Sequence, residues 1–358
     1  MDRVRLLRFV LSRVRFSVIV PLFNRPEEIE SLLESQTHQS FRDFGVIVVE
    51  GGSDRDARNI ALAFQDRLDV HYFWKENTRQ GFTRNFGFER AKGDWFVVFD
   101  SDCLILPQYL EAVDAHLRAN PRVDFYGGPD AAHTSFTTPQ KAIGHAMTSP
   151  LTTGGIRSRV RDAVAYHSRL LNMGISRSAW ERSSGYRISV KGEDIEFSMR
   201  LIANGVKRVL IPEAHVYQRR RTDFAQFWRQ VHFFGAARVN IRKFFSGVIR
   251  PIHWMPSFLL LYVVSMILLA FGLHFATGLP AKWSVLPVLP YLVWHLALLV
   301  GGKMATGSLT AAFLVLRAAR IELTSCGWGL LTEYRSVALL RRRNPTIGEL
   351  RIVPMPKG

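Results

Sequence analysis

Asp100 and Asp102 flank Ser101 directly after the uncharged run Trp95–Phe99. Two hard oxygen groups spaced i, i+2 at the end of an apolar strand suit a divalent cation, or, on the plainer reading, a turn. Alternation along an extended chain would put both carboxylates on one side. Glu193 and Asp194 form a second acidic position, ahead of Ile195, Met199 and Ile202 at helical spacing. Acids in a first helical turn complement the dipole by a few tenths to about 1 kcal/mol. The same carboxylates are also suited to take a proton from a hydroxyl at the mouth of a site. A third polar group, Glu50-Gly51-Gly52-Ser53-Asp54, ends the apolar run 44–49, and Asn24-Arg25 follows the run 16–20 and Pro21. An acid with small residues at strand ends can hold the polar edges of a nucleoside. The aspartate pair can hold a cation and, through it, a diphosphate.

These groups need a frame that brings strand ends together. Residues 16–20, 44–49, 70–73 and 95–99 are short apolar runs with strand composition. Between them lie helical patterns from Pro26, around Ile60, Leu62 and Phe64, and over 81–91. Pro26 with Glu27 and Glu28 is a helix start. The reading is therefore β-α-β-α-β-α-β: a mostly parallel sheet, helices on both faces, and a ligand edge at the carboxyl ends of the strands. Neither GxGxxG nor GxxxxGK[ST] stands at these strand ends, which disfavours an ordinary dinucleotide site or P-loop. Further strands are expected over 123–126 and 209–211, and a helix from Glu193 that stops at Gly205. Residues 130–165, rich in Thr, Ser and Gly, read as a lid or binding loop.

The second half changes character. From Ala225 onward there are fifteen Lys or Arg against three acids, so most of the net +17 lies in the most apolar part of the chain. Cations flanking hydrophobic runs point to an anionic membrane surface and not to nucleic acid. Residues 222–250 pattern as an aromatic and basic helix suited to the headgroup layer, with a core-packed surface helix as the alternative. Residues 251–281 carry no charge, and neither do 283–302. Each is near the ~20 residues a spanning helix needs. Residues 304–316 are short for a span and read as re-entrant, interfacial or the start of a tilted helix. Basic residues before the first span and after the second place both flanks in the cytoplasm. The Arg-rich residues 1–15 lack the apolar core of a cleaved signal peptide. Cys103 and Cys326 are too far apart to imply a metal or disulfide framework.

With these pieces in order, the sequence resembles a family 2 inverting glycosyltransferase of GT-A fold with a C-terminal membrane anchor. The similarity lies in SVIVPLFNRPEEI, VIVVEGGSDRD, NTRQGFTRNFGFERAKGDWFVVFDSD and NMGISRSAW…GYRISVKGEDIEFSMRLIANG. It implies an α/β fold of GT-A type, Rossmann-like, followed by amphipathic and transmembrane helices. It also implies a division into a basic lead-in (1–15), a catalytic domain (16–222), an amphipathic interfacial region (223–250), two spans (251–302) and a re-entrant or interfacial segment with a basic tail (303–358). The roles it implies are donor contacts from Pro21, Phe23, Asn24, Arg25, Glu50, Gly52, Ser53, Arg84, Asp100 and Ser101. Asp102, with Asp100, would hold a divalent cation, Mg2+ or Mn2+, and Asp194 would be the base with Glu193 beside it. The partners implied are a nucleotide-sugar donor and a lipid-linked or glycan acceptor at the cytoplasmic membrane, with a multi-pass anchor.

Three departures from the family pattern stand out. Glu50 occupies a usual Asp position. Gln218 stands where many members have a histidine, with His215 three residues earlier. Gln226-Phe227-Trp228-Arg229-Gln230 lacks the final Trp of the QxxRW motif found in processive synthases, which implies transfer of one or a few sugars. The alternatives are a polyprenyl-phosphate sugar transferase on the same fold, and a non-catalytic membrane scaffold that retains it.

Overall fold

The structure is a computed structural model, and it describes residues 14–131, 133, 136–153, 172–189, 191–219, 223–246, 248–277, 280, 283, 286–339 and 353–354. Most of the basic lead-in 1–15, the whole segment 154–171 and the tail arginines Arg341, Arg342 and Arg343 lie outside the described residues. The chain divides into two compact units, residues 1–131 with 166–218, and residues 132–165 with 219–358.

The first unit holds strands β1 (Phe16–Leu22), β2 (Phe44–Gly51), β3 (Val70–Lys75), β4 (Trp95–Phe99), β5 (Cys103–Ile105), β6 (Phe125–Gly127), β7 (Asp130–Ala131), β8 (Asn172–Ser176), β9 (Arg208–Leu210) and β10 (Val216–Gln218). Its helices are α1 (Pro26–Thr37), α2 (Arg58–Leu62), α3 (Arg79–Arg90) and α4 (Tyr109–Ala119), and, beyond α5 (Thr138–Thr148) and α6 (Pro150–Thr153) of the other unit, α7 (Arg177–Ser183) and α8 (Glu193–Ala203). Seven strands form one sheet in the order β3-β2-β1-β4-β8-β6-β9, and β5-β10-β7 form a second, small sheet. β1 to β4 run parallel, as expected of buried apolar runs joined by helices. β8 enters antiparallel to both β4 and β6.

Alternation sorts each strand between two cores. Phe16, Val18, Val20, Trp95, Val97 and Phe99 join Leu32, Leu33, Leu110 and Val113 on one face. Ile19, Val49, Phe96 and Val98 join Phe88, Tyr186 and Phe197 on the other. The first strand does not stop at Pro21 but runs to Leu22. β4 pairs with β1 only as far as Ile19, so Pro21 lies past that ladder, where a missing N–H deprives no β4 partner.

The second unit is helical: α5, α6, α9 (Phe224–Ile241), α10 (Met255–Thr277), α11 (Leu289–Thr306) and α12 (Leu309–Tyr334). The reading of 130–165 as loop is corrected for α5. Thr137 and Gln140 form a capping box, Pro139 lies in the first turn, and Ile143, Ala146 and Met147 face the core. α9 starts on the Asp223 cap, whose Oδ1 accepts the Gln226 N–H at 2.7 Å. It does not lie free: Phe227 and Val231 are core residues, and the helix packs on α12. A Cβ on Gly235 of α9 would sit 2.1 Å from the Cys326 carbonyl oxygen of α12, so only glycine permits this approach. Gly307, left-handed at φ 70°, ends α11, and Ser308 caps α12. Residues 304–316 thus divide between two helices.

Most of α10 and all of α11 lie in the two stretches long and apolar enough to cross a membrane, Pro251–Phe275 with mean hydropathy 2.3 and Leu286–Thr306 with 1.4. Only 6% of the first is buried, so it is not the core helix of this unit. Leu261, Val264, Leu268, Phe271 and Phe275 are all more than half exposed along it.

Candidate active site

The carboxyl edge of β1, β2 and β4 gathers the polar groups named from the sequence. At the end of β2, Glu50 is fully buried. Its Oε1 accepts the Ser53 hydroxyl, and its Oε2 accepts the Ala57 N–H at 3.1 Å and the Tyr72 hydroxyl at 3.4 Å. Burial, then the Glu50 charge, pushes the Tyr72 phenol well above its ordinary value. Ser53 Oγ in turn accepts the Asn24 N–H at 2.7 Å, and Asn24 Oδ1 accepts the Asp54 N–H at 2.8 Å. The β1 and β2 exits are therefore tied into one polar loop pair. Asn24 and Gly52 both have positive φ, and a Cβ on Gly52 would meet the Asn77 nitrogen at 2.8 Å. Glycine is required there. Glu50 and Pro21 lie under this surface, while Phe23, 46% exposed, and the half-buried Arg25, Gly52 and Ser53 face outward.

At the end of β4 the chain turns. The Cys103 N–H bonds the Asp100 carbonyl at 3.1 Å, and β5 begins at once. The extended alternation expected for Asp100 and Asp102 does not apply across this turn, and the two carboxylates meet different partners. Asp100 Oδ1 accepts Arg84 Nη2 of α3 at 2.8 Å. Asp102, 4% exposed, faces Arg25 Nη1 at 3.5 Å and accepts Gln218 Nε2 at 3.3 Å. The antiparallel β5–β10 register puts Gln218 opposite Cys103, which brings it to Asp102. His215 lies outside β10, at odd register to Gln218, and makes its described ring contact with Tyr217.

Glu28 was read from the sequence only as a dipole-complementing acid. Its Oε2 accepts both Arg25 Nη1 and the Ser101 hydroxyl at 2.9 Å, joining α1 to the β4 turn. The spacing Arg25–Glu28, one helical turn across the start of α1, carried that signal. Burial works against the Arg25 charge, but Glu28, Asp102 and Asp100 outweigh it and hold its pKa above the usual arginine value.

Arg84 differs most from its expected place. It has no exposed surface, so it does not present itself to a ligand. It lies behind Asp100, with Nη1 3.9 Å from Glu193 Oε1. Its Nε and Nη1 have no hydrogen-bond partner among the described residues. Desolvation opposes its charge, yet Asp100, Tyr186 and Glu193 outweigh this and raise its pKa. One buried guanidinium thereby joins the β4 turn to the start of α8.

Glu193 and Asp194 differ in exposure. Glu193 is 6% exposed, and burial, followed by repulsion from Asp194, pushes its carboxyl up to about 7, with Arg84 pulling the other way. Asp194 is half-buried, and its Oδ1 accepts the Ile195 N–H at 2.8 Å. Gly192, at φ 102°, sets the entry into α8. Because the folded state holds the Glu193 proton more tightly than the unfolded chain does, stability falls as pH rises from about 4.5 to about 7. Glu193→Gln is expected to flatten that slope, read as unfolding temperature against pH.

Among the described residues no three His, Cys, Asp or Glu side chains converge as a metal cage. Small divalent cations on diphosphates are typically held by one or two carboxylates with substrate phosphates completing the shell. Asp100 and Asp102, two hard oxygen donors flanking one turn, fit that arrangement, and Gln218 would orient Asp102.

Residues 17–181 match the family described as Glycosyl transferase family 2. This domain belongs to that family. The chain is 34% identical over 115 residues to an uncharacterized glycosyltransferase of Haemophilus influenzae, covering 32% of this chain and 38% of that protein. It is 33% identical over 91 residues to the GalNAc(5)-diNAcBac-PP-undecaprenol beta-1,3-glucosyltransferase of Campylobacter jejuni, covering 25% of this chain and 29% of that one. The chain thus spans well under half the length of these curated relatives. The mannosyltransferase PcManGT of Pyrobaculum calidifontis, solved with GDP-Man and Mn2+, superposes with a TM-score of 0.54 at 18% identity, covering 90% of this chain and 88% of that one. That likeness establishes a GT-A type fold.

Proposed function

We propose that this chain transfers a sugar from a nucleotide-diphospho-sugar to a hydroxyl of a lipid-linked or membrane-presented glycan, with inversion and without processivity. The observation that carries the proposal is the Asp100–Arg84–Glu193 connection, which fixes the donor-end turn of β4 against the helix that presents Asp194. The outward groups Phe23, Asn24, Arg25 and Ser53 would meet the nucleoside, with Glu50 and Pro21 shaping the loops from below. Asp102 and Asp100 would hold Mg2+ or Mn2+, which supplies positive charge to the leaving diphosphate. Arg25 adds a fixed cation on the same edge. Asp194 takes the proton of the acceptor hydroxyl as its oxygen attacks the anomeric carbon. The bond to the diphosphate oxygen breaks on the opposite face, which inverts that centre.

The name of the Campylobacter relative supports a lipid-linked acceptor, and the Mn2+ of the Pyrobaculum enzyme supports a divalent cation. The two exposed apolar helices support a multi-pass place in the cytoplasmic membrane with the family 2 domain inside. The test offers the full chain in membranes a panel of radiolabelled sugar nucleotides. The expected result is a labelled glycolipid made from one of them, lost in Asp102→Ala and lost with chelator. A polyprenyl monophosphate sugar as product would place the enzyme one step earlier, and no transfer from any donor would favour a scaffold.

A further inference from the structure

We infer that Arg317 and Arg320 of α12 form a binding site for the phosphate or diphosphate of a membrane lipid, held in shape by His295 of α11. The inference rests on the proposed membrane placement of the second unit.

The apolar stretch Leu286–Thr306 has its midpoint at Leu296, one residue from His295. His295 is 7% exposed, and its Nδ1 lies 2.7 Å from the Tyr291 carbonyl oxygen. A carbonyl only accepts, so Nδ1 carries the proton and Nε2 is bare. Nε2 accepts Arg320 Nε at 2.7 Å. The Arg320 guanidinium is therefore fixed at the depth of the middle of the apolar stretch, about 16 Å along either helix from the turn at Gly307. The imidazole contributes no counter-charge in this tautomer.

Arg317 stands one turn earlier on the same face, as i, i+3 neighbours do. Its Cζ lies 4.5 Å from the centroid of the Phe224 ring. Both arginines are exposed. Among the described residues neither has a carboxylate partner, and Glu322, two residues on, is buried. Two guanidinium groups are thus held beside each other without an anion, at a depth where an unpaired cation is costly. Such a pair is accommodated there by water, by snorkelling to the headgroups or by an anionic group, and of these the anion answers both charges directly. The neighbouring surface is apolar, with Leu292, Leu296 and Phe313 each more than half exposed. An anion that arrives at this depth beside such a surface is one carried on a hydrocarbon chain. Guanidinium forks suit phosphate oxygens in geometry as well as in charge.

The test measures binding of a short-chain polyprenyl phosphate, a polyprenyl diphosphate and inorganic pyrophosphate to the full chain in nanodiscs of neutral lipid. Arg317→Gln and Arg320→Gln are each expected to weaken binding of the polyprenyl species by roughly tenfold to a hundredfold. His295→Leu should weaken it less, and His295→Gln, whose amide oxygen can accept from Arg320, should restore it. Arg320→Lys controls for folding by keeping the charge. Unchanged affinity in both arginine variants overturns the inference. Pyrophosphate binding as tightly as the lipids also overturns it. Nucleotide-sugar binding is read on the same preparations: its absence in the wild type would count against the proposed transferase and not against the lipid site.

Discussion

Asp194→Asn is expected to lower sugar transfer by about 10²- to 10⁴-fold, the range a positioned general base contributes. The substitution is nearly isosteric. The amide oxygen can still accept the Ile195 N–H that now bonds Asp194 Oδ1, so the start of α8 should keep its geometry. What is lost is the capacity to take a proton. Donor affinity, measured as nucleotide-sugar binding without acceptor, should therefore stay close to wild type while turnover falls. Glu193→Gln provides the contrast. Glu193 is buried against Arg84 and holds its proton up to about pH 7, so it is poorly placed and poorly charged to act as base. Its neutral replacement should cost much less turnover than Asp194→Asn. A wild-type rate in Asp194→Asn would move the base to another residue.

The parts of this fold written in local pattern were legible. Short apolar runs at 16–20, 44–49, 70–73 and 95–99 read as parallel strands, and each appears as one, although β3 at the sheet edge is buried only at Val70. The polar residues at their ends followed, because a strand of that kind must leave the core where its apolar run stops. The long-range pairings of those residues were not legible. Nothing near Arg84 says that it lies under Asp100, because that contact depends on how α3 packs across β1 and β2. Glu28 looked like any first-turn acid until α1 was set against the β4 turn. The alternation argument failed at Asp100–Asp102 because it presumes an extended chain, and a single hydrogen bond from Cys103 to Asp100 ends the extension. Thr and Ser content made 130–165 read as loop, although Thr137 and Gln140 form a helix cap. In α12 the apolar face is interrupted by Arg317, Arg320 and Glu322, so hydropathy alone understates a 26-residue helix whose stability comes from packing on α9, α10 and α11.

Arg84→Met carries the largest expected effect on stability. The methionine fills a similar volume with no charge, so the substitution separates electrostatics from packing. Removing one member of a buried ionic group typically costs about 3–5 kcal/mol, because the remaining charges lose their partner while staying desolvated. Here Asp100 would keep partial access to solvent, but Glu193 would not. Arg84 is the group that pulls the Glu193 pKa down against burial and Asp194, so its loss should move that carboxyl further above 7. The pH window over which stability falls should then extend upward, and Glu193→Gln in the same background should recover part of the loss. Arg84→Lys should be intermediate. A single ammonium can meet Asp100 or Glu193 but does not present the planar fork that reaches toward both. Thermal unfolding followed by tryptophan fluorescence across pH 4 to 9 reads all four proteins on one scale. If Arg84→Met unfolds at the wild-type temperature with an unchanged pH profile, the guanidinium does not couple the two carboxylates. The connection between the donor end of β4 and the helix of Asp194 would then have to run through the sheet alone.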